Sequence, residues 1–451
     1  MASLQTSGDV DCLTAGGGLT LPPQLRVCEL FAGIGGWRLA LGAALPAGVE
    51  AHFNAFDSGP HCSEVYALNF GEPCCRRNIE QLALADLDGY DLWAMSPPCQ
   101  PFTATKDAQQ LDSRDKRCKA LSHLCGVLPR LEKPPRWIVV ENVKGFYSSN
   151  ACDRLRAALT EAGYTGREIL LDLASFGAPN HRTRYYLLAE RSQRLLPLMR
   201  CSAGEALNSD QDCLSPHSAN GGGRSSSSCS QAIAAAARDA AASLATVDEA
   251  ARAGVTCRGS GIQGAECRQL AEYLLREDEA PLQGPERAEL LVPRNVLEKP
   301  FAEGLSYVRP SDCLSFCFTG HYGKVLHKSS GSLLHLSGTV IDRKNVAGAF
   351  GNVRFFSPRE ILNIFGFPRD FLLPLEMPLK HRYKVVGNSI AVTVASFLLR
   401  WLLLGEGEAR LASLDQDPPC RCPQVSSDAS HLKPGHEEAF IEEDTFNEEA
   451  T

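Results

Sequence analysis

Four side chains in the first half of this chain have the types and settings that nucleophilic and electrostatic catalysis needs. Cys99 lies in Ser96-Pro97-Pro98-Cys99-Gln100-Pro101-Phe102, directly after the apolar stretch Leu92-Trp93-Ala94-Met95. Proline locks its own φ and restrains the residue before it, so the thiol is presented from a stiffened loop at a strand end. A thiolate is a strong nucleophile that can later depart. Glu141 closes the apolar run Trp137-Ile138-Val139-Val140 and is followed by Asn142. A carboxyl group there must be partnered or functional, because unpaired burial is costly. In a dry site its pKa rises and it can donate a proton near neutrality. Arg182 and Arg184 alternate in Asn180-His181-Arg182-Thr183-Arg184, so both face one way in an extended segment. Two guanidiniums on one face suit a phosphate or a carbonyl carrying developing charge. Taken singly, each has a plain alternative: a small buried thiol, a structural ion pair, two solvated surface arginines. Taken together they follow different strands and converge on one sheet edge.

A second group points to a nucleoside. Phe31-Ala32-Gly33-Ile34-Gly35-Gly36 follows a strand and precedes a helix, where glycines let backbone N–H groups approach a ligand. The spacing is not the dinucleotide pattern Gly-x-Gly-x-x-Gly, and a nucleoside with a sulfonium and an amino-acid end fits it better. A plain tight turn is the alternative. Asp57 closes the next strand about 20 residues on, where an acid can hydrogen-bond ribose hydroxyls.

The elements that must hold these groups are legible between Leu25 and Glu190. Strands are expected at Leu25–Leu30, Ala51–Phe56, Leu92–Met95, Trp137–Val140 and Tyr185–Ala189, and helices at Trp37–Ala44, Cys62–Asn69, Cys118–Leu131 and Ala151–Ala162. This alternation predicts an α/β fold with a doubly wound, mostly parallel sheet and helices on both faces. The organisation expected is a frayed N-terminus (1–24), a catalytic domain (25–190), a low-complexity insertion, largely disordered (191–290), a smaller irregular domain (291–356), a segment returning to the first domain (357–404) and an acidic disordered tail (405–451). The insertion contains Gly221-Gly222-Gly223, a serine run and an alanine-rich tract, and cannot bury much apolar surface. Order is expected to resume near Leu291. Ile390–Leu404 is too apolar for a surface helix and is expected to pack on the first domain's sheet.

At 451 residues and 44% hydrophobic content the chain can build a large core. No run of 18 apolar residues is present, so no membrane span is expected, and no secretory signal is evident at the N-terminus. The 18 cysteines contain no Cys-x-x-Cys pair; they read as reduced intracellular thiols, and no metal is expected. Residues 405–451 hold 12 acidic and 3 basic residues, which account for the whole of the formal net charge of −8. The near-neutral body is therefore compatible with a local basic cleft.

The order of these motifs resembles the cytosine-5 methyltransferase family. The resemblance runs through Phe31–Gly36, Asp57, Asn78-Ile79-Glu80, Pro97-Pro98-Cys99-Gln100, Glu141-Asn142-Val143 and Arg182-x-Arg184. It continues through Arg359-Glu360, Phe365-Gly366-Phe367-Pro368 and Val386-Gly387-Asn388-Ser389, and so spans about 25–190 and 290–404. It implies a class I methyltransferase fold with S-adenosyl-L-methionine as methyl donor. By resemblance, Phe31, Ile34, Gly35 and Gly36 line the methionine end, Asp57 holds the ribose, and Ile79 and Glu80 hold the adenine; Ser96, Asn388 and Ser389 complete the pocket. Cys99 would attack carbon 6 of cytosine, Glu141 would bond the ring nitrogen and exocyclic amine, Arg182 would face the base carbonyl, and Arg184 would support the site electrostatically. Residues 291–356 would be the target-recognition domain.

Glu141-Asn142-Val143-Lys144-Gly145-Phe146 and Cys317-Phe318-Thr319, followed by Tyr322-Gly323, resemble the tRNA-directed branch of that family. The branch implies a cytosine in the anticodon loop, typically of aspartate tRNA, as target. Lys144, Cys317 and Thr319 are the expected substrate contacts, with Lys324 and Lys328 as further phosphate contacts. DNA is the alternative substrate, and a non-catalytic nucleic-acid binder is the alternative class; the intact Cys99, Glu141, Arg182 and Arg184 set counts against the latter. Two departures stand out: Ala104-Thr105-Lys106-Asp107-Ala108 is shorter and less basic than the branch's loop, and Trp37 replaces a smaller residue common after the glycine pair. A monomer resident in the cytoplasm, the nucleus or both is the expectation.

Overall fold

The structure is a computed structural model that describes residues 14–15, 19–98, 118–191, 199–200, 268–276, 278–279, 285–326, 330–337 and 339–405. Cys99, the loop 104–108, Lys328, most of the 191–290 insertion and the tail beyond Gly405 lie outside the described residues.

Seven strands make the central sheet: β1 (Gln24–Leu30), β2 (Glu50–Phe56), β3 (Leu92–Met95), β4 (Trp137–Val143), β5 (Thr165–Asp172), β6 (Thr183–Glu190) and β7 (Met199–Arg200). Their order across the sheet is β2-β1-β3-β4-β6-β5-β7. The first four are parallel, and β6 is antiparallel to β4 and β5. One edge therefore collects the carboxyl ends of β1 to β4 and the amino end of β6. The register sets Val143 opposite Arg184 and Glu141 opposite Tyr186.

The principal helices are α1 (Gly36–Ala44), α2 (Pro60–Phe70), α3 (Lys119–Val127), α4 (Asn150–Glu161), α5 (Pro358–Ile364), α6 (Leu379–Gly387) and α7 (Val392–Leu404). Strand side chains alternate faces. Leu92, Ala94, Trp137 and Val139 pack with α1 and α7, while Trp93, Met95, Ile138 and Val140 pack with α3 and α4. Strands covered on both sides read as unbroken apolar runs, which is why β3 and β4 are evident from sequence. Local chemistry ends the helices. Pro60 opens α2 and Gly71 closes it at φ 76°; Ser149 caps α4 through the Cys152 N–H at 3.1 Å. The stretch Leu379–Leu404 is long and apolar enough to span a membrane, yet 83% of its apolar window is buried within the fold. Its second half, α7, packs against α1 as a core helix, as its composition predicts.

A smaller lobe carries a three-stranded sheet of β8 (Tyr307–Val308), β9 (Leu333–His335) and β10 (Val353–Arg354). Its core is continuous with the α1/α7 side of the first. Phe318, Tyr322, Phe355, Phe356 and Tyr383 form an aromatic cluster with ring centroids 5.0–5.6 Å apart, a spacing that favours edge-on contact. Arg354 and Glu360 make a buried two-point ion pair at 2.7 and 2.8 Å. Described structure resumes at Arg268, ahead of the expected Leu291. Leu270 is fully buried and its N–H donates to the Asp312 carbonyl, and the Leu275 N–H donates to Glu360. Long-range partners thus hold this short segment in place.

Candidate active site

The approach to Cys99 is fixed on both sides. The Ser96 N–H donates to the Leu30 carbonyl at 3.2 Å, and Asn142 Nδ2 donates to the Pro97 carbonyl at 3.1 Å. Asn142 is almost fully buried, and its Oδ1 also accepts the Val143 N–H. The amide at the end of β4 thereby ties that strand to the Pro-Pro loop, a role not read from the sequence.

Glu141 points into the same edge. Its Oε1 lies 3.3 Å from Arg184 Nε. Burial raises the Glu141 carboxyl above its ordinary value, and the Arg184 and Arg182 guanidiniums with the Ser96 hydroxyl only partly oppose this. Ser96 is itself engaged from behind, because Trp37 Nε1 donates to its Oγ at 3.0 Å.

The two arginines divide their work differently from the expectation. Arg182 is 3% exposed, and its guanidinium donates to the carbonyls of Phe318 at 3.0 Å, Gly387 at 3.2 Å and Ser389 while lying 4.5 Å over the Phe365 ring. It is a clamp joining β6 to the smaller lobe and to the turn after α6. Its NH1 and NH2 are committed to main-chain carbonyls, while its Nε is buried with no hydrogen-bond partner; this clamp is a role beyond the expected contact with the base. Arg184 is the guanidinium beside Glu141, and its NH1 is oriented by the Thr183 carbonyl at 2.9 Å.

Cys317 brings the smaller lobe into the site. Its Sγ lies 3.5 Å from Arg182 NH1 and 3.6 Å from Arg184 NH2. Burial pushes this thiol up, but the Arg184 and Arg182 guanidiniums outweigh it and hold the thiol below its ordinary value. Thr319 is half-buried, and its carbonyl abuts Gly387: a Cβ there would sit 2.2 Å from that oxygen. Lys144 and Lys324 are exposed.

The nucleoside-type turn is shaped by positive φ angles at Phe31 (57°), Gly33 (56°) and Gly35 (84°). Asp57 closes it, Oδ2 accepting the Gly33 N–H and Oδ1 the Gly59 N–H, each at 2.8 Å. A carboxylate has about four lone-pair positions, so Asp57 keeps capacity for ribose hydroxyls. Gly36 packs on Ile390 and Ser389, whose side chains leave no room for a Cβ. Ile34 is buried, Ile79 is buried in a short 3₁₀ turn capped by Asn78, and Glu80 and Asn388 are exposed. Beneath the turn lies Glu29, unrecognised in the sequence and fully buried. It accepts from Tyr66 Oη at 2.9 Å and from the Arg38 N–H at 3.3 Å, and burial lifts its carboxyl to about 7.

Comparison with known proteins bears directly on this edge. Residues 25–217 and 315–403 match the profile of the C-5 cytosine-specific DNA methylase family. The chain belongs to that family. A human tRNA (cytosine(38)-C(5))-methyltransferase is 31% identical over 84% of this chain and 99% of its own length. A Dictyostelium discoideum DNA (cytosine-5)-methyltransferase is 28% identical over 84% and 94%. The crystal structure of Schizosaccharomyces pombe Dnmt2 methyltransferase superimposes with a TM-score of 0.61 at 27% identity, covering 85% and 99% of the two chains.

The C-5 cytosine methylases draw their methyl group from S-adenosylmethionine. The residues here fit that donor. The space beside Gly33 is open, with nothing within 4 Å of a Cβ position, and α1 begins at a left-handed Gly35 with no side-chain cap. The turn thus offers main chain where an amino-acid end binds and an acid, Asp57, where a ribose binds.

Proposed function

We propose that this C-5 cytosine methylase acts on a cytosine in the anticodon loop of tRNA, aspartate tRNA in particular, through a covalent Cys99 adduct. The observation that carries the reading is the meeting of Glu141, Arg184 and Cys317, which joins the catalytic edge to the Cys-Phe-Thr stretch of the smaller lobe. The near-complete coverage of the human tRNA enzyme supports the same substrate class. Bases in a single-stranded loop are splayed out more cheaply than paired ones.

Cytosine carbon 5 is a poor nucleophile. In this reading the Cys99 thiolate adds to carbon 6, and Glu141 holds the ring nitrogen and exocyclic amine as the ring takes up charge. Arg184 fixes the Glu141 carboxylate and supports the site electrostatically, while Asn142 keeps the Pro97-Pro98 approach in register. Phe31, Ile34, Gly35, Gly36, Asp57, Ile79, Glu80, Ser96, Asn388 and Ser389 would hold S-adenosylmethionine, which supplies an electrophilic methyl group. Carbon 5 then loses its proton and the thiolate departs, restoring the aromatic ring. Lys144, Cys317 and Thr319 are the proposed RNA contacts, and the enzyme acts as a monomer in the cytoplasm, the nucleus or both.

DNA is the second reading, favoured by the Dictyostelium relative's name. Transfer of tritiated methyl from S-adenosylmethionine to matched tRNA and duplex DNA, with Cys99→Ala alongside, separates the two. Label in tRNA alone that disappears in the variant is the expected result; label in DNA alone would reject the RNA assignment. RNA carrying 5-azacytosine should trap an adduct with the native enzyme and none with Cys99→Ala.

A further inference from the structure

The smaller lobe presents an aromatic ring to solvent directly beside the site. Phe316 is 48% exposed, although Ser315 before it and Phe318 beyond Cys317 are buried. Its main chain is held from two directions. The Phe316 N–H donates to Ser332 Oγ at 2.9 Å, and its carbonyl accepts from Asn180 Nδ2 at 2.8 Å. Both partners are fully buried and are bonded again nearby, Ser332 Oγ to Ser306 Oγ at 2.8 Å and Asn180 Nδ2 to Ser315 Oγ at 3.0 Å. A backbone fixed in this way sets where the ring stands. Ring partners abound two residues on, where Phe318 meets Tyr322 at 5.0 Å and Phe356 at 5.1 Å. Among the described residues no ring and no guanidinium stacks on Phe316.

The neighbours place this ring next to the target pocket. Ser315 Oγ donates to the Pro179 carbonyl, and Cys317 Sγ lies against Arg182 and Arg184, so both side chains turn toward residues 179–184. Phe316, between them, projects from the other side of the segment. Consecutive Cα atoms are about 3.8 Å apart, which puts the ring within one nucleotide's reach of a base held near Cys317. Exposed Lys324 follows in the same loop. Exposed His181, whose N–H donates to the Ser315 carbonyl, stands 3.6 Å from Asp172. Single-stranded nucleic acid is held by such a pairing of cations for its backbone with an aromatic face for its bases.

We propose that Phe316 is a stacking platform for an unpaired base adjoining the target cytosine in the RNA loop. The proposal rests on the functional reading above, since it takes the occupant to be single-stranded RNA. Leucine at this position keeps an apolar surface but has no ring face, whereas tryptophan offers a larger one.

Phe316→Ala, Phe316→Leu and Phe316→Trp test this against the native enzyme. Each is titrated with aspartate tRNA, either intact or with one abasic nucleotide on one side or the other of the target cytosine, and Kd is read by fluorescence anisotropy. Stacking on one base is worth roughly tenfold in Kd. Phe316→Ala should lose about that factor, Phe316→Leu most of it, and Phe316→Trp none. One of the two abasic RNAs should bind the native enzyme about tenfold more weakly, yet bind Phe316→Ala no worse than intact tRNA does. Circular-dichroism melts check the fold, and Phe316→Leu and Phe316→Trp decide the matter should Phe316→Ala fold poorly. Native affinity in Phe316→Leu, or losses that add for both abasic RNAs, overturns the proposal. Native enzyme that binds tRNA but transfers no methyl to it overturns the functional reading instead, while the abasic comparison still decides the stack.

Discussion

Replacing each arginine of the Arg182-x-Arg184 pair by lysine separates a clamp from a site group. At Arg182, lysine keeps the charge but gathers its donors at one point, whereas the guanidinium reaches three carbonyls on separate stretches of chain: Phe318, Gly387 and Ser389. At least two of these bonds are lost. At about 1.5 kcal/mol for each charge-assisted bond, the cost is roughly 3 kcal/mol. For a domain of this class that lowers Tm by roughly 6–12 °C. Arg184 bonds its neighbour's carbonyl and Glu141 and has a side chain 14% exposed. Arg184→Lys should therefore melt within a few degrees of the native protein, yet lose on the order of 100-fold in kcat as an electrostatic contact is displaced. Circular-dichroism melts and methyl-transfer assays on the same preparations give both numbers. Arg182→Lys melting with the native protein while losing activity would refute the clamp and return Arg182 to the substrate.

Two further outcomes follow from the packing. Gly387→Ala places a methyl group 2.2–2.5 Å from the main chain of Thr319 and Gly320, which cannot rotate away; a loss of about 1–3 kcal/mol in denaturant unfolding is expected, together with a raised KM for RNA. Glu29 gives a pH signature: its carboxyl titrates at about 7 when folded against an ordinary 4.5, so the folded state holds the proton more tightly. Stability is then highest below about 4.5, declines as pH rises to about 7, and levels off above. The decline is about 3 kcal/mol, measured by urea unfolding at stepped pH, and the Glu29→Gln protein should lack it.

The apolar strands were legible because burial on both faces leaves no polar positions in them. Strand β5 was not, since Thr165-Gly166-Arg167-Glu168 carries charges that only its neighbours satisfy: Glu168 pairs with Arg156 of α4 at 2.7 Å. Helix α6 escaped for a similar reason. Leu379-Lys380-His381-Arg382 looks like a solvated segment, while Tyr383, Val385 and Val386 are buried in the second lobe's core. At the site, residue types that chemistry demands could be picked out one by one, and the edge they share followed from strand ends. The separate fates of Arg182 and Arg184 could not, because they depend on carbonyls 136 to 207 residues away. Glu29 was hidden by its position within an apolar strand, and Trp37 stood out only as an unexpected size.

The pairing of α1 with α7 has a consequence for how the protein is made. The two helices stand about 350 residues apart in the chain, and the carbonyls that Arg182 grips arrive just before α7. At the pace of ribosomal synthesis, the buried face of Trp37, Leu41 and Ala44 waits roughly 20–70 s for its cover. Throughout that interval the nascent chain exposes a sticky surface and has no completed catalytic edge. The domain stays unfinished until almost its last helix emerges, and a ribosome that stalls after the insertion releases a polypeptide with that apolar face uncovered.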